Sequence, residues 1–441
     1  MKKRIATLAA LLIAAAPAGG ADLLEIYRQA QSSDAQYAAA RAAWSASQEK
    51  LPQGLSGLLP SASVSAFTQH TDRESRPRDP TVGTSSARFN SNSMSLSVTQ
   101  PLYRPQNVAA YGQAKTQVAQ ADAVFSQAAQ DLILRVAQAY FDVLLGQDTV
   151  ELAQAQLTAI GRQLEQAKRN FEVGTATITD THEAQSRYDI TYSTEIAARN
   201  DLEIRKRQLE FLIGRPAPGI SPLGKRFELR PPEPNNMDRW VAEAGENNLL
   251  VRINRSSLEF SSQEIERNRA AHRPTVDAFA SYSDSGSGPS VLGNSGIDSS
   301  SRVVGVQLAI PIYQGGLTSS RVREAVANED RARQDLESAR RAAELTARQT
   351  FLGITSGIAQ VRALEAALVS SQSSLDSTRL GQEVGVRTQI DVLNAQQQLS
   401  QTRRDLAQSK YNYILALLRL KAAAGQLTEQ DLALVNTWLD R

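Results

Sequence analysis

The chain has 441 residues, with 48 basic and 46 acidic side chains, three histidines and no cysteine. That length is enough for two or three ordinary domains. The missing thiols exclude disulfides, thiolate metal sites, cysteine nucleophiles and a lipid anchor on an N-terminal cysteine.

At the N-terminus, Lys2, Lys3 and Arg4 precede an apolar run from Ile5 to Ala16, and small residues follow through Ala21. This is the pattern of a secretory signal over residues 1–21, cut after Ala21, with Ala18 as the alternative. Removing those three of the 48 cations leaves 45 against 46 acidic residues, so the mature chain has no basic excess to attract nucleic acid. No later run of 18 consecutive apolar residues exists, and no transmembrane helix is expected. An exported chain of this kind is periplasmic, secreted or an outer-membrane β-barrel.

An Ala- and Gln-rich helical segment over 22–56 runs towards Pro60. Two short strands are expected near 61–70 and 91–101. "SMSLSVT" (93–99) alternates strictly, with Met94, Leu96 and Val98 on one face and serines on the other. From Val108 to Phe171, steps of three and four land on apolar residues with few breaks, including Val118, Phe125, Leu132, Val136, Val143, Val150, Leu157 and Leu164. Such a sustained seam belongs to a long coiled-coil helix. Residues 104–171 span roughly 100 Å at 1.5 Å per residue, about three times a bilayer core. After a return helix, "GRPAPGISPLGKRFELRPPEPNN" carries six prolines and reads as a linker over 215–239.

The order then repeats. A helical segment over 240–272 meets Pro274, and strands are expected near 274–283 and 302–311. In the second of these Val304, Val306, Leu308 and Ile310 alternate. "FEVGTATITDTHEAQSR" (171–187) returns as "QEVGVRTQIDVLNAQQQ" (382–398), with Glu, Val, Gly, Thr, Asp, Ala and Gln at matching positions. Pro101 and Tyr103 match Pro311 and Tyr313. Residues 22–214 and 240–425 are thus two copies of one unit, followed by a tail over 426–441.

No catalytic constellation is present. His70, His182 and His272 lack metal-ligand spacing, and no GxSxG, Walker or GxGxxG pattern occurs. The glycine-rich "DSGSGPSVLGNSG" (284–296) joins two strands and reads as an exposed loop. The chain is not expected to be an enzyme, and no metal or cofactor is implied. Two readings from different classes stay open: a membrane channel, and a periplasmic coiled-coil adaptor or structural protein without a channel. The strands separate them, because an adaptor lacks paired strands of lipid-spanning length. Four strands cannot close in a membrane, where every backbone polar group must be paired. Two, three or four copies of the chain would supply eight, twelve or sixteen strands. The lipid face would carry Met94, Leu96, Val98, Val304, Val306 and Leu308. Phe67, Phe89, Phe279 and Tyr282 are placed near the membrane interfaces.

"PIYQGG" (311–316), "SSQSSLDS" (370–377), "VGVRTQIDVLNA" (384–395), "KYNYILALL" (410–418) and "GQLTEQDL" (425–432) occur in that order. Together with "DLLEIYRQA" (22–30) and "NFEVGTATITD" (170–180), they resemble the TolC outer-membrane channel family over essentially the whole mature chain. The resemblance implies an α+β membrane protein. The tandem-duplicated unit gives four β-strands per chain of a trimeric, 12-stranded β-barrel, continuous with a long α-helical coiled-coil barrel in the periplasm. The linker and tail would form a small equatorial domain. The implied function is a passive outer-membrane exit duct for proteins (type I secretion) or small toxic compounds (efflux). The implied partners are two further copies of the chain, outer-membrane lipid, a periplasmic adaptor, and an inner-membrane ABC or proton-driven transporter.

In that arrangement the duplicated elements are the turns of two helical hairpins. Gly174 and Gly385 suit the left-handed residue that ends a helix. Thr177 with Asp180, and Thr388 with Asp391, read as capping boxes opening the return helices. Only the second copy holds an arginine, Arg387, opposite Ala176. The resemblance implies that Arg387 bonds near Thr179 and Asp180 to hold the periplasmic mouth closed. The family's aromatic partner falls on Gln382, which keeps a hydrogen bond but loses the ring. Of the family's two acidic constriction positions, Asp391 matches one and Asn394 does not match the other.

Overall fold

A computed structural model describes residues 20–79, 81–224, 226–289 and 295–440. The signal expected over 1–21 lies outside the described residues except for Gly20 and Ala21, and part of the 284–296 loop lies outside them too. In chain order the elements begin with α1 (Leu23–Ser33), α2 (Ala35–Gln48), α3 (Lys50–Ser56), β1 (Ser61–Ser75), β2 (Ser85–Tyr103), α4 (Pro105–Glu172) and α5 (Ile178–Ile213). They continue with α6 (Met237–Asn247), α7 (Leu249–Ala270), β3 (Thr275–Ser287), β4 (Ile297–Ala309), α8 (Leu317–Glu383), α9 (Gln389–Ala423) and α10 (Glu429–Asn436). The chain divides into two compact units. One holds residues 20–40, 127–248 and 343–440, and the other holds 41–126 and 249–342.

In the second unit all four strands form one antiparallel sheet in the order β1-β2-β3-β4. The strands run to 15, 19, 13 and 13 residues, longer than the ten expected of a lipid span. The excess in β1 and β2 is a two-stranded ribbon. These two strands stay paired to Ser75 opposite Ser85, whereas β2 leaves β3 at Ser91 opposite Ser287. At the other end of β2 the register shifts between Pro101 and Tyr103, where the chain turns into α4. Arg104 fixes this corner with a two-pronged bond to Asp277 of β3, at 2.7 and 2.6 Å. Below it, Gln113 of α4 donates to Glu264 of α7 at 2.7 Å. Trp44 of α2 stacks on Phe125 of α4 and donates its indole N–H to Asp122.

The first unit has a conventional core. Leu132, Val136, Tyr140 and Leu144 of α4 are fully buried, as are Leu209 of α5 and Ile414 and Leu418 of α9. Irregular segments are pinned to this core. Ala21 bridges Ile220, Leu223 bridges Leu439, and the Tyr140 hydroxyl donates to the carbonyl of Ser221 at 2.7 Å. Tyr413 donates to the Arg230 carbonyl at 2.7 Å, and Phe227 meets both Tyr413 and Trp438 edge-on. Asp34 ends α1 and opens α2, accepting from the Tyr37 N–H and from both terminal nitrogens of Arg135.

The helices α4 and α8 run for 68 and 67 residues. One 18-residue stretch of α8 is long and apolar enough by composition to cross a membrane, which the sequence reading did not expect. The difference is one of counting. An averaged window tolerates the polar and charged residues, such as Gln360, Arg362 and Glu365, that interrupt every continuous apolar run in α8.

Candidate functional site: the sheet faces and the hairpin turns

Side chains alternate across a strand, so the pairing register assigns every residue of the sheet to a face. Val64, Leu96 and Tyr282 fall in one row, and Ala62, Val98, Ala280 and Val304 in the next. Met94, Leu96, Val98, Val304, Val306 and Leu308 therefore share one face. The other face is a serine ladder, in which Ser63 meets Ser97 at 2.8 Å and Ser65 meets Ser95 at 2.7 Å. Exposure is inverted relative to a sheet with a buried apolar face. Met94 is 57%, Val304 84% and Val306 65% exposed, while Ser93, Ser95 and Ser97 are half-buried. A sheet with one face packed on a core turns its apolar side inward. This one presents its apolar side outward, and its edge strands β1 and β4 each leave a row of backbone groups unpaired within the chain.

The register also corrects the aromatic positions. Phe67, Phe89 and Phe279 have the parity of the serine face, and only Tyr282 lies on the apolar one. Phe279 rests where Gly305 has no side chain, since a Cβ there would stand 2.8 Å from the ring. Arg302 lies 5.9 Å from the Tyr282 ring, on the apolar face.

The hairpin turns belong to the other unit. After α4, Gly174 takes φ 77° and the Thr175 N–H reaches back to the Asn170 carbonyl at 2.8 Å. After α8, Gly385 takes φ 79° and the Val386 N–H reaches back to Gly381 at 2.9 Å. A glycine stands there because a side chain is strained at positive φ. Thr177 then caps α5: its oxygen accepts from the Asp180 N–H at 3.2 Å, and the Asp180 carboxylate accepts from the Thr177 N–H at 2.9 Å. Thr388 and Asp391 repeat this at the start of α9 with the same two distances. In both turns the threonine's N–H, and then its hydroxyl, holds the aspartate carboxyl below its usual range.

Within one chain Arg387 does not meet Thr179 or Asp180. Its stem lies against Gly381, and among the described residues its guanidinium has no hydrogen bond or ion pair. Gln382 bonds Gln389, its neighbour across the same turn, rather than Asp180. Asp180 and Gln382 are each satisfied inside their own turn, Asp180 by Thr177 and Gln382 by Gln389. Among the described residues the two hairpins are joined by Tyr411 and Arg419 of α9, which donate to Asp148 and Gln138 of α4, and nearer the turns by Arg187 of α5, which donates to Asn394 and Gln397 of α9 at 3.3 Å each. Sequence reasoning passed over Arg187, since one arginine on a charged helix face has no local signature. Among the described residues no three histidine or acidic side chains gather as metal ligands.

Comparison with known proteins decides the family. The model of the outer membrane efflux protein family matches residues 26–215 and again 240–426. The chain belongs to the outer membrane efflux protein family. It is 34% identical over 429 residues to the outer membrane protein TolC of Escherichia coli, covering 95% of this chain and 85% of that one. It is 33% identical over 427 residues to the alkaline protease secretion protein AprF of Pseudomonas aeruginosa, covering 94% and 86%. Among solved structures, the outer membrane protein VceC of Vibrio cholerae superposes with a TM-score of 0.76 at 17% identity, over 91% of this chain and 96% of that one. The Campylobacter jejuni CmeC channel gives 0.77 at 15% identity, over 95% and 90%. The α+β tandem-duplicated channel fold and the outer-membrane location follow. The protein is an outer-membrane exit duct of the efflux and secretion type, with a large helical part in the periplasm. The family is one of channel and transport proteins.

Proposed function

We propose that three copies of the chain close one 12-stranded barrel, and that their helices form a duct whose periplasmic mouth opens only when a partner engages it. The open sheet carries this reading: four strands with an exposed apolar face and unpaired edges have no stable single-chain form in lipid. Three copies of a four-stranded sheet would supply the twelve strands of one closed barrel. On this reading residues 22–214 and 240–425 are the two repeats of the duct. The linker 215–239 and the tail 426–441 form an equatorial body, in line with the Leu223–Leu439 bridge between them.

The partners are a periplasmic adaptor and an inner-membrane ABC or proton-driven transporter, which supplies the energy and selects the cargo. Relatives named for secretion of proteases favour protein cargo as one use. Small toxic compounds are the other, since a continuous duct selects little by chemistry. At the mouth, among the described residues, the Arg387 guanidinium makes no hydrogen bond or ion pair in its own chain, and it is available to Thr179 and Asp180 of a neighbouring copy, beside Gln382. Asp391 supplies one acidic ring at the constriction, and Asn394 supplies none. A cation preference resting on Asp391 alone would fall on acidification and vanish in Asp391→Asn.

The test is planar-bilayer conductance of the detergent-extracted oligomer, with wild type and Arg387→Ser side by side. Small, stable steps that enlarge in the variant are expected. A folded oligomer that never inserts would favour the adaptor reading instead, and equal steps in both would remove Arg387 from the gate.

A further inference from the structure

Below the sheet, the second unit holds a polar cavity of about 690 Å³, where the starts of α4 and α8 and the turn after α7 meet the end of β4. Its roof is Thr275 and Ala309, the last pair of the β3–β4 ladder. Three cations line it, Arg267, Arg273 and Arg321, and among the described residues no acidic side chain does. Arg267 is held by Glu264 at 2.7 Å. Arg273 and Arg321 make no side-chain hydrogen bond or ion pair among the described residues. Gln314 accepts from the Thr318 hydroxyl, which leaves its amide N–H groups as further donors.

The duplication supplies an internal control. Two consecutive left-handed glycines, Gly315 at φ 61° and Gly316 at φ 82°, turn the chain from β4 into α8, and Arg321 follows in its second turn. Arg321 stands ten residues after Pro311, and in the first repeat Tyr111 stands ten residues after the matching Pro101. Arg273 directly precedes Pro274, whereas Leu59 directly precedes Pro60. The same corner of the fold is therefore built once with two free arginines and once with none. Folding does not need them.

The level and the lip of the cavity point to a ligand. Ile310 lines it and keeps the parity of Val304, Val306 and Leu308, so the cavity lies under the lipid-facing side of the sheet. At ~3.3 Å per residue along a strand tilted by ~40°, Ile310 is ~8 Å below the middle of that apolar band. A band ~25 Å tall ends about two residues further on, so the arginines stand at headgroup level. Beside Ile310, Ile312 is 95% and Tyr313 86% exposed. A tyrosine in this place suits a membrane–water interface.

We infer that this cavity binds the phosphate headgroup of an anionic phospholipid from the periplasmic leaflet, one per chain. A guanidinium fork matches two phosphate oxygens at once, and two arginines without protein partners are available to do so. The absence of a lining carboxylate leaves the anion unopposed, and the apolar lip gives the acyl chains a surface that a free phosphate cannot use. The inference rests on the membrane placement of the sheet and is independent of how the mouth opens.

Ile312→Trp puts a fluorescent reporter at the lip, and the three native tryptophans give a background that the parent chain measures. In vesicles mixing phosphatidylglycerol and phosphatidylcholine, with one or the other dibrominated, quenching reads which lipid occupies the lip. Phosphatidylglycerol should be preferred roughly twentyfold, and Arg273→Gln and Arg321→Gln should each lower that preference roughly fivefold. Equal quenching by the two lipids overturns the site, as does a preference unchanged in both variants when they migrate as folded oligomers. A reporter that neither lipid quenches, in oligomers that float with the vesicles, means that the cavity faces the lumen and likewise overturns it. A preference abolished by inorganic phosphate at constant ionic strength would assign the cavity to a free anion and remove the lipid.

Discussion

Val303 and Val304 offer a paired test of the sheet's orientation. They are consecutive residues of one strand, identical in chemistry, and they lie on opposite faces. On the apolar face β4 presents Val304, Val306 and Leu308, with Ile310 just beyond its end, so the apolar band centres near residue 307. Val304 is three residues from that centre. At ~3.3 Å per residue and a tilt of ~40° this is ~8 Å, within a band ~25 Å tall. An arginine costs ~2–4 kcal/mol at the midplane and ~0–1 kcal/mol at the interface, so Val304→Arg should cost ~1–2 kcal/mol per chain. In a three-chain barrel that becomes ~3–6 kcal/mol. Val303→Arg, on the serine face towards the lumen, should cost less than ~0.5 kcal/mol. Urea titration of the protein folded into lipid vesicles reads both. Equal losses in the two variants, or a larger loss at Val303, would refute the assignment of the lipid face.

Other expectations concern the helical unit. Thr388→Ala removes one half of a capping box and should cost about 1 kcal/mol, seen as a lower melting temperature of the oligomer on gels. Asp180 and Asp391 have carboxyls held below their usual range, so the turns keep their full stability above the ordinary carboxylate range and lose it as pH falls through and below that range. Proteolysis at 174–180 and 385–391 should accelerate there and not at alkaline pH. Asp34→Ala removes a helix cap and strips Arg135, whose Nε already lacks a partner, of its carboxylate. A loss of about 3 kcal/mol is expected, at the low end for a broken buried pair because Arg135 is partly exposed. Ala21 donates to Gly219 at 2.6 Å and accepts from Ser221 at 3.2 Å, two bonds that a chain cut after Ala18 keeps and one cut after Ala21 loses. The intact mass of the exported chain should include Ala21, which favours cleavage after Ala18.

Much of this molecule is specified over short distances, and there the sequence suffices. Strand parity is a period of two, so Met94, Leu96 and Val98 share a side wherever the strand is placed. The long helices need only a sustained seam of three and four, and a left-handed glycine followed by Thr-x-x-Asp draws all its hydrogen bonds from within a few residues. The duplication is likewise visible as a repeated order of elements. What those patterns leave open is which elements meet. Three phenylalanines read as interfacial took the serine face, because a face is fixed by register across strands and not by the residue's own character. Arg104 found Asp277 and Arg187 found Asn394, partners separated by most of a repeat or more, and no local signal marks either pair. Arg387, the one conspicuous asymmetry between the turns, makes no side-chain hydrogen bond or ion pair among the described residues, and only its charge is felt by Asp391 of the same turn. Local backbone chemistry is a property of neighbouring residues, but the pairing of side chains across hairpins and strands exists only after the chain has folded back on itself.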